Sequence, residues 1–395
     1  VDMHRTVKTC VVSGSRAEFG QLLPLLKKLN ANDDFDLKLI VTGAHLLESQ
    51  GKTVSEIIAS EIPIAKCIYL ESAKDNSRLG IAKQISEAIC NFAEYFEQDR
   101  PDVMIAIGDR YEMFGAAVAA STLLIPIVHI CGGSTTSGAI DEIYRHSMTK
   151  MSTLHFTTCE QYRKRVIQLG ESPETVYNVG SLAIENCLKT QILTEAELRE
   201  DLGIDLNKKY CVVTFHPVTL EKESSEKEVY ELIDALKSFK EYSYIVTLSN
   251  SDAGGDRINE IWREIAEKDR NFYVVPSLGM KRYLSALKYS DMMIGNSSSG
   301  TTEGPAMRIP TIDIGDRQRG RYFAESIVHC EPKKDSIIAA IRKVNTTEFR
   351  KMLKNVENPF GDGNTSDKMI RILKQKIGNT FDVKKDFYDI SFEVE

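Results

Sequence analysis

Short β-branched runs alternate with longer stretches of helical periodicity through most of this chain. That alternation restricts the fold to parallel strands joined by helical crossovers, with helices covering the sheet. KTCVVSGS from Lys8, LKLIVTG from Leu37, VMIAIGD from Val103 and IPIVHICGG from Ile125 read as buried strands. Between the second and third, Ile85, Ile89, Phe92 and Phe96 recur at helical spacing and mark one apolar helix face. A second series runs through YCVVTFHP from Tyr210, YSYIVTLSN from Tyr242, NFYVVPS from Asn271 and DMMIGNSSSG from Asp291, and ends near TIDIGD from Thr311.

The stretch from about Gly180 to Lys209 is charged and carries no strand signal, so it divides the two series. The expectation is an α/β chain of two Rossmann-like, doubly wound domains with a cleft between them, over residues 1–180 and 181–364. Residues 365–395 form an amphipathic helix and tail. A length of 395 residues with 42% hydrophobic content suffices for two cores. Lys and Arg number 50 against 57 Asp and Glu, a net charge of −7, so no global field favours nucleic acid or an anionic membrane. Any phosphate must be met by a local site. Eight cysteines without CxxC spacing fit reduced thiols in a cytoplasmic protein. No apolar core of a secretory signal opens the chain. The longest apolar run, residues 116–131, is broken by Ser121, Thr122, Pro126 and His129, too interrupted to span a bilayer.

Ligands of open parallel sheets bind beyond the carboxyl ends of the strands, which selects five places. At Ser13-Gly14-Ser15-Arg16, small residues let backbone N–H groups approach an anion and Arg16 adds a clamp, or the segment is an ordinary strand-to-helix turn. Gly108-Asp109-Arg110-Tyr111-Glu112 follows an apolar strand with an acid–base–acid cluster. It reads as a general base beside a cation, or as a capping box in which Asp109 caps and Glu112 completes it. His129-Ile130-Cys131-Gly132-Gly133-Ser134 leads to Asp141-Glu142 and Arg145-His146; His129 reads best as a hydrogen-bonded core histidine, and Asp141 and Glu142 open a helix. Phe215-His216-Pro217 places His216 at a strand end, as an acid, a phosphate donor, or simply a polar terminus. Asn296-Ser297-Ser298-Ser299-Gly300, followed by Thr301-Thr302-Glu303, offers N–H and O–H donors to a phosphate at the start of a helix, and Glu303 offers an acceptor for a ribose diol.

Taken together, SGSRAEFG, GDRYEMFGAA, HICGGSTTSGAIDEIYRHSMTK, FHPVT, SNSDAGGDR, GNSSSGTTEGP and IGDRQRGR resemble the hydrolysing UDP-N-acetylglucosamine 2-epimerases of the bacterial sialic acid branch, in order from about Cys10 to Lys374. The resemblance implies a glycosyltransferase-B architecture, with UDP-sugar in the interdomain cleft and the C-terminal helix packed on the N-terminal domain. It also implies a dimer or tetramer, and no metal or cofactor. The implied reaction eliminates UDP across C1–C2 to a 2-acetamidoglucal and adds water to give N-acetylmannosamine. By motif position Arg16, His216, Ser297, Ser298 and Arg321 hold the diphosphate and Glu303 the ribose. Arg110, Asn250, Ser134 and Arg317 also face the UDP-sugar. Asp109 and Asp141 match the catalytic acids, with Glu112 beside them; His216 assists the departing phosphate.

Two positions depart from the family. Cys131 stands where many members carry Glu and some His, and Gly132-Gly133-Ser134 replaces Gly-Gly-Glu. A thiol of ordinary pKa is mostly neutral at pH 7, so the chemistry rests on Asp109 and Asp141 unless Cys131 is depressed. These departures keep a UDP 2,4-diacetamido-2,4,6-trideoxy sugar (diacetylbacillosamine) open as substrate. The same strand-end residues would also serve a UDP-sugar glycosyltransferase, a non-hydrolysing epimerase or a silent nucleotide-sugar sensor.

Overall fold

The computed structural model describes residues 5–48, 53–75, 77–135, 140–203, 208–216, 222–248, 255–275, 278–377 and 383–393. The chain divides into two compact units, one formed by 1–186 with 359–395 and the other by 187–358.

The first unit holds β1 (Val7–Ser13), β2 (Phe35–Thr42), β3 (Ile64–Ile68), β4 (Val103–Ile107), β5 (Ile127–Ile130), β6 (Leu154–Thr157) and β7 (Val176–Asn178), all parallel, in the order β3-β2-β1-β4-β5-β6-β7. Cys10, Val11 and Val12 of β1 and Val103 to Ala106 of β4 are fully buried, as sheet centres covered on both faces must be. The strand order reverses between β1 and β4.

The second unit repeats the plan with β8 (Lys209–Thr214), β9 (Tyr242–Thr247), β10 (Phe272–Val275), β11 (Met292–Gly295), β12 (Thr311–Ile314) and β13 (Ile327–Cys330), parallel in the order β10-β9-β8-β11-β12-β13. Here the order reverses between β8 and β11. Trp262 and Tyr244 anchor its core, each stacked or tilted against Phe272.

Four strands go beyond the sequence expectation. Strand β3 is an edge strand with Lys66 exposed. In β6, buried His155 interrupts the apolar pattern; β7 is only three residues long, and β13 carries exposed His329 at an edge of the second unit's sheet. Short, edge or polar-bearing strands lack the continuous apolar run that signals a central one. The apolar face of helix Arg78–Gln98 is also rotated: Gln84, Ala88, Phe92 and Phe96 form its buried line, and Ile85 and Ile89 flank it half-buried. Gln84 is accommodated because its Nε2 donates to the Asp75 carbonyl at 2.9 Å.

Helix Thr365–Ile377 packs on helix Arg16–Asn30, bringing Met369, Ile372 and Leu373 into the core that holds Leu22, Leu25, Leu26 and Leu29. Buried Glu185 caps it from afar, accepting the Ser366 N–H and O–H, each at 2.6 Å. The tail beyond is pinned at Glu171, a carboxylate 2% exposed. Lys385 Nζ donates to Glu171 at 2.7 Å and to the Ser152 carbonyl at 2.6 Å, and the Tyr388 N–H donates to the Gly170 carbonyl at 2.9 Å. Gly170, at φ +89°, leaves room for the Phe387 ring, which a Cβ there would meet at 2.3 Å.

Burial alone would raise the Glu171 carboxyl, but hydrogen bonds from His155, Lys150 and Lys385 outweigh it and hold it at about 2. A depressed carboxyl stabilises the fold above its unfolded pKa, and the contribution disappears as pH falls from about 4.5 toward 2. That linkage is worth about 3 kcal/mol. Tail release in this window, read as new proteolysis between 383 and 393, is the expected result. Glu171→Gln should release the tail at neutral pH; a variant as resistant as wild type contradicts the anchoring role.

Among the described residues no helix is long and apolar enough to cross a membrane, and all eight cysteines are free.

Candidate functional site

The chemistry-bearing residues gather at the carboxyl ends of the two strands that flank each reversal of order, where an open parallel sheet leaves a crevice, and of the next strand along, β5 before Cys131, Ser134 and Asp141 and β12 before Arg317 and Arg321. In the first unit the flanking strands are β1 and β4. Ser15 caps helix Arg16–Asn30, its Oγ accepting the Glu18 N–H at 3.4 Å. The Glu18 carboxylate accepts the Gly14 N–H at 2.7 Å, so the chain's own acid already engages one donor expected to face an anion. Arg16, 71% exposed, pairs with Glu56 at 3.0 Å. Beneath the turn lies buried Glu112, whose Oε1 accepts from Arg110 Nε at 2.6 Å. Burial, reinforced by the Glu112 charge, pushes the Glu18 carboxyl up to about 8. Burial also raises Glu112, against the pull of Arg110.

The capping box does not form. Arg110, not Asp109, is the N-cap of helix Tyr111–Thr122, and it makes no side-chain cap bond. The Asp109 carboxylate is drawn instead to the guanidinium of buried Arg145, which also donates to the Ser134 carbonyl at 2.9 Å. An ion pair held in a buried setting outcompetes a cap open to water. Asp141 and Glu142 open helix Asp141–Met151, which also carries Arg145. The Asp141 carboxyl is raised by burial and by the charge of Asp109, with Arg110 and Arg145 opposing. Asp109, Arg145, Asp141 and Arg110 thus form one interacting set.

Cys131 follows β5 at φ +71°, and burial beside Asp109 pushes its thiol up to about 12. It is a neutral group at pH 7. His129 is the core histidine its strand position suggests: fully buried, lowered to about 4 by that burial, it donates from Nε2 to the Gly108 carbonyl at 2.8 Å and faces Thr149 Oγ1 at 3.1 Å.

In the second unit the flanking strands are β8 and β11. His216 lies just past β8, half-buried, with Asn296 against its main chain. Ser297 Oγ accepts the Ser299 N–H at 3.3 Å and starts a 3₁₀ turn over Ser298–Gly300; the Tyr283 hydroxyl donates to Ser299 Oγ at 2.8 Å. The helix expected after the serines is a single turn, Glu303–Ala306, which the chain leaves through Arg308 at φ +57°. The donors are therefore those of the serine turn rather than of a long helix dipole. The Glu303 carboxylate accepts from Thr302 and is raised by burial, with Arg321 among the groups opposing. Arg317 Nη1 donates to the Asn296 carbonyl at 3.1 Å and Gln318 Nε2 donates to the same oxygen at 2.8 Å. Asn250 and Pro217 lie outside the described residues.

Each unit brings its predicted polar residues to one sheet end: Asp109, Arg110, Glu112, Cys131, Ser134 and Asp141 in the first, His216, Ser297, Ser298, Glu303, Arg317 and Arg321 in the second. Sequence reasoning passed over Arg145 and Asn296 as site residues. Both act through partners far along the chain, which no local spacing reveals. Among the described residues no group of three or more His, Cys, Asp or Glu side chains is arranged to hold a metal ion.

Two doubly wound α/β units, each with its polar residues at the switch point of its sheet, define a protein of glycosyltransferase-B type. Residues 27–374 match the family model described as UDP-N-acetylglucosamine 2-epimerase. The chain is 38% identical over 384 residues to the polysialic acid biosynthesis protein P7 of Escherichia coli, covering 97% of each. It is also 38% identical to the GDP/UDP-N,N'-diacetylbacillosamine 2-epimerase (hydrolyzing) of Campylobacter jejuni, over 97% of this chain and 99% of that protein. The crystal structure of UDP-GlcNAc 2-epimerase from Neisseria meningitidis, bound to UDP-GlcNAc, superposes with a TM-score of 0.79 at 18% identity, covering 93% of this chain and 100% of that one. The chain belongs to the UDP-N-acetylglucosamine 2-epimerase family.

Proposed function

We propose that this protein is a hydrolysing 2-epimerase that converts UDP-N-acetylglucosamine to UDP and N-acetylmannosamine. The observation that carries the reading is the coupled set around Asp109, fixed by Arg145 and raising Asp141, at the switch point of the first sheet. A glycosyl transfer needs no base at C2, whereas elimination and hydration need two proton-handling groups. In the elimination, the Asp109 carboxylate takes the C2 proton as the C1–O bond to UDP breaks, leaving a C1–C2 double bond. In the hydration, Asp141, whose raised carboxyl holds a proton more readily, gives it to C2 on the other face as water bonds to C1; the proton water releases restores Asp141, and the proton taken by Asp109 passes to solvent as UDP departs. The two acids titrate as a pair. His216, Ser297, Ser298, Arg317 and Arg321 hold the departing diphosphate, with Glu303 on the ribose and Arg16 adding a cation, so that charge developing on UDP meets preorganised donors. The same reading makes the protein a cytoplasmic enzyme and a homodimer or homotetramer.

The experiment is NMR of the protein with UDP-N-acetylglucosamine in deuterated water and no acceptor. Free N-acetylmannosamine bearing deuterium at C2, with stoichiometric UDP, is the expected outcome. UDP-N-acetylmannosamine without free UDP would mean a non-hydrolysing epimerase, and no reaction without an acceptor would favour transfer.

One observation favours a second substrate. Cys131 is neutral and Ser134 contributes only its carbonyl to Arg145, so the sugar-facing loop carries less negative charge than the family pattern. That suits the 6-deoxy, 4-acetamido sugar of UDP-diacetylbacillosamine. If this reading holds, the analogue is turned over in preference, and Ser134→Glu shifts the ratio of kcat/KM values back toward UDP-N-acetylglucosamine by at least about tenfold. An unchanged ratio removes Ser134 as a determinant.

A further inference from the structure

Asn296 comes directly after β11 and is 1% exposed. Both ends of its side-chain amide bond the main chain of His216: the His216 N–H donates to Oδ1 at 2.7 Å, and Nδ2 donates to the His216 carbonyl at 2.8 Å. The regular pairing of β8 with β11 ends at Thr214 and Gly295, so this amide extends the join beyond the last ladder residue. The Asn296 N–H donates to the Thr214 carbonyl at 3.1 Å, and its carbonyl accepts from Arg317 and Gln318. These hydrogen bonds run to two segments remote in sequence, Thr214–His216 and Arg317–Gln318.

We propose that Asn296 is a positioning residue that sets His216, Ser297 and Arg317 in register as one diphosphate cradle, without itself touching the ligand. The proposal rests on the functional reading above, in which those three residues meet UDP. Asparagine suits the task because the join needs one donor and one acceptor at a single side-chain end. Aspartate keeps the acceptor but sets a carboxylate against the His216 carbonyl. Leucine keeps the volume and leaves both main-chain groups of His216 without these partners. A displacement of about 1 Å at a phosphate-binding group costs on the order of 10²-fold in rate, so a fixed joint at this point matters for turnover and not only for folding.

The test uses the whole chain as Asn296→Leu, Asn296→Asp and Tyr242→Phe. The last removes a hydroxyl that donates to Asp291 at 2.8 Å at the amino ends of the same sheet, and serves as a stability control. UDP affinity is read by calorimetry, kcat and KM by UDP release, stability by Tm, and the His216 ring and amide by NMR. Asn296→Leu should weaken UDP roughly tenfold or more and lower kcat about a hundredfold. Asn296→Asp should fall between it and wild type, with the His216 amide resonance shifted. Tyr242→Phe should lose comparable Tm while its UDP affinity and kcat stay within about twofold. A folded Asn296→Leu with UDP affinity and kcat within twofold of wild type overturns the proposal. Should Asn296→Leu not fold, the same twofold criterion applied to Asn296→Asp decides. A wild-type protein that neither binds UDP nor releases it defeats the functional reading instead; the His216 resonances then judge the joint, and spectra unchanged in the variants overturn it.

Discussion

Asp109→Asn should lower kcat for UDP release by about 10³-fold, within the range that loss of a general base produces. The amide is nearly isosteric, and Arg145 keeps its bond to the Ser134 carbonyl, so the variant should stay folded while losing the carboxylate. A second signature separates lost chemistry from lost structure. Burial and the charge of Asp109 both raise the Asp141 carboxyl, so removing that charge should let it fall. Because Asp141 acts in its protonated form, the alkaline limb of the residual pH–rate profile should therefore move to lower pH, and deuterium exchange at C2 should slow in step with UDP release. A variant within tenfold of wild type would place proton abstraction on another group.

The largest effect on stability is expected from Gly295→Ala. Gly295 sits at φ +142°, and a Cβ there would lie 1.9 Å from the Thr214 carbonyl oxygen, its neighbour across the β8–β11 pairing. The contact is with backbone, so no side chain can swing aside. The two strands must separate, at a cost of about 3 kcal/mol or more. For a unit of this size that corresponds to a loss of about 10 °C in Tm. Calorimetry should show the change in the transition of the second unit, and UDP affinity should drop with it because Asn296 follows directly. A Tm within 2 °C of wild type would mean that the sheet tolerates the side chain.

Much of this architecture is written locally. The central strands announce themselves because Cys10-Val11-Val12, Val103 to Ile107 and Cys211-Val212-Val213 must be apolar on both faces. What local pattern could not supply was the geometry made by distant pairs. Asp109 and Glu112 have the spacing of a capping box, yet Arg145, 36 residues on, takes the first and Arg110 the second. His216 and Asn296 are 80 residues apart and share two hydrogen bonds that only the β8–β11 pairing brings about. Histidine in β6 obscured a strand because its partner, Glu171, belongs to another segment. A motif shows which chemistry is available at a strand end, and the sheet order decides which partners reach it.

The first unit is assembled from two stretches of chain, and the second is the uninterrupted stretch between them. On the ribosome, residues 187–358 have emerged complete while the leucines of helix Arg16–Asn30 still lack Met369, Ile372 and Leu373. The unit made first is therefore the last to close. Until helix Thr365–Ile377 arrives, the core that holds Leu22, Leu25, Leu26 and Leu29 is short of these three side chains, so the nascent chain is most in need of chaperone protection late in its translation.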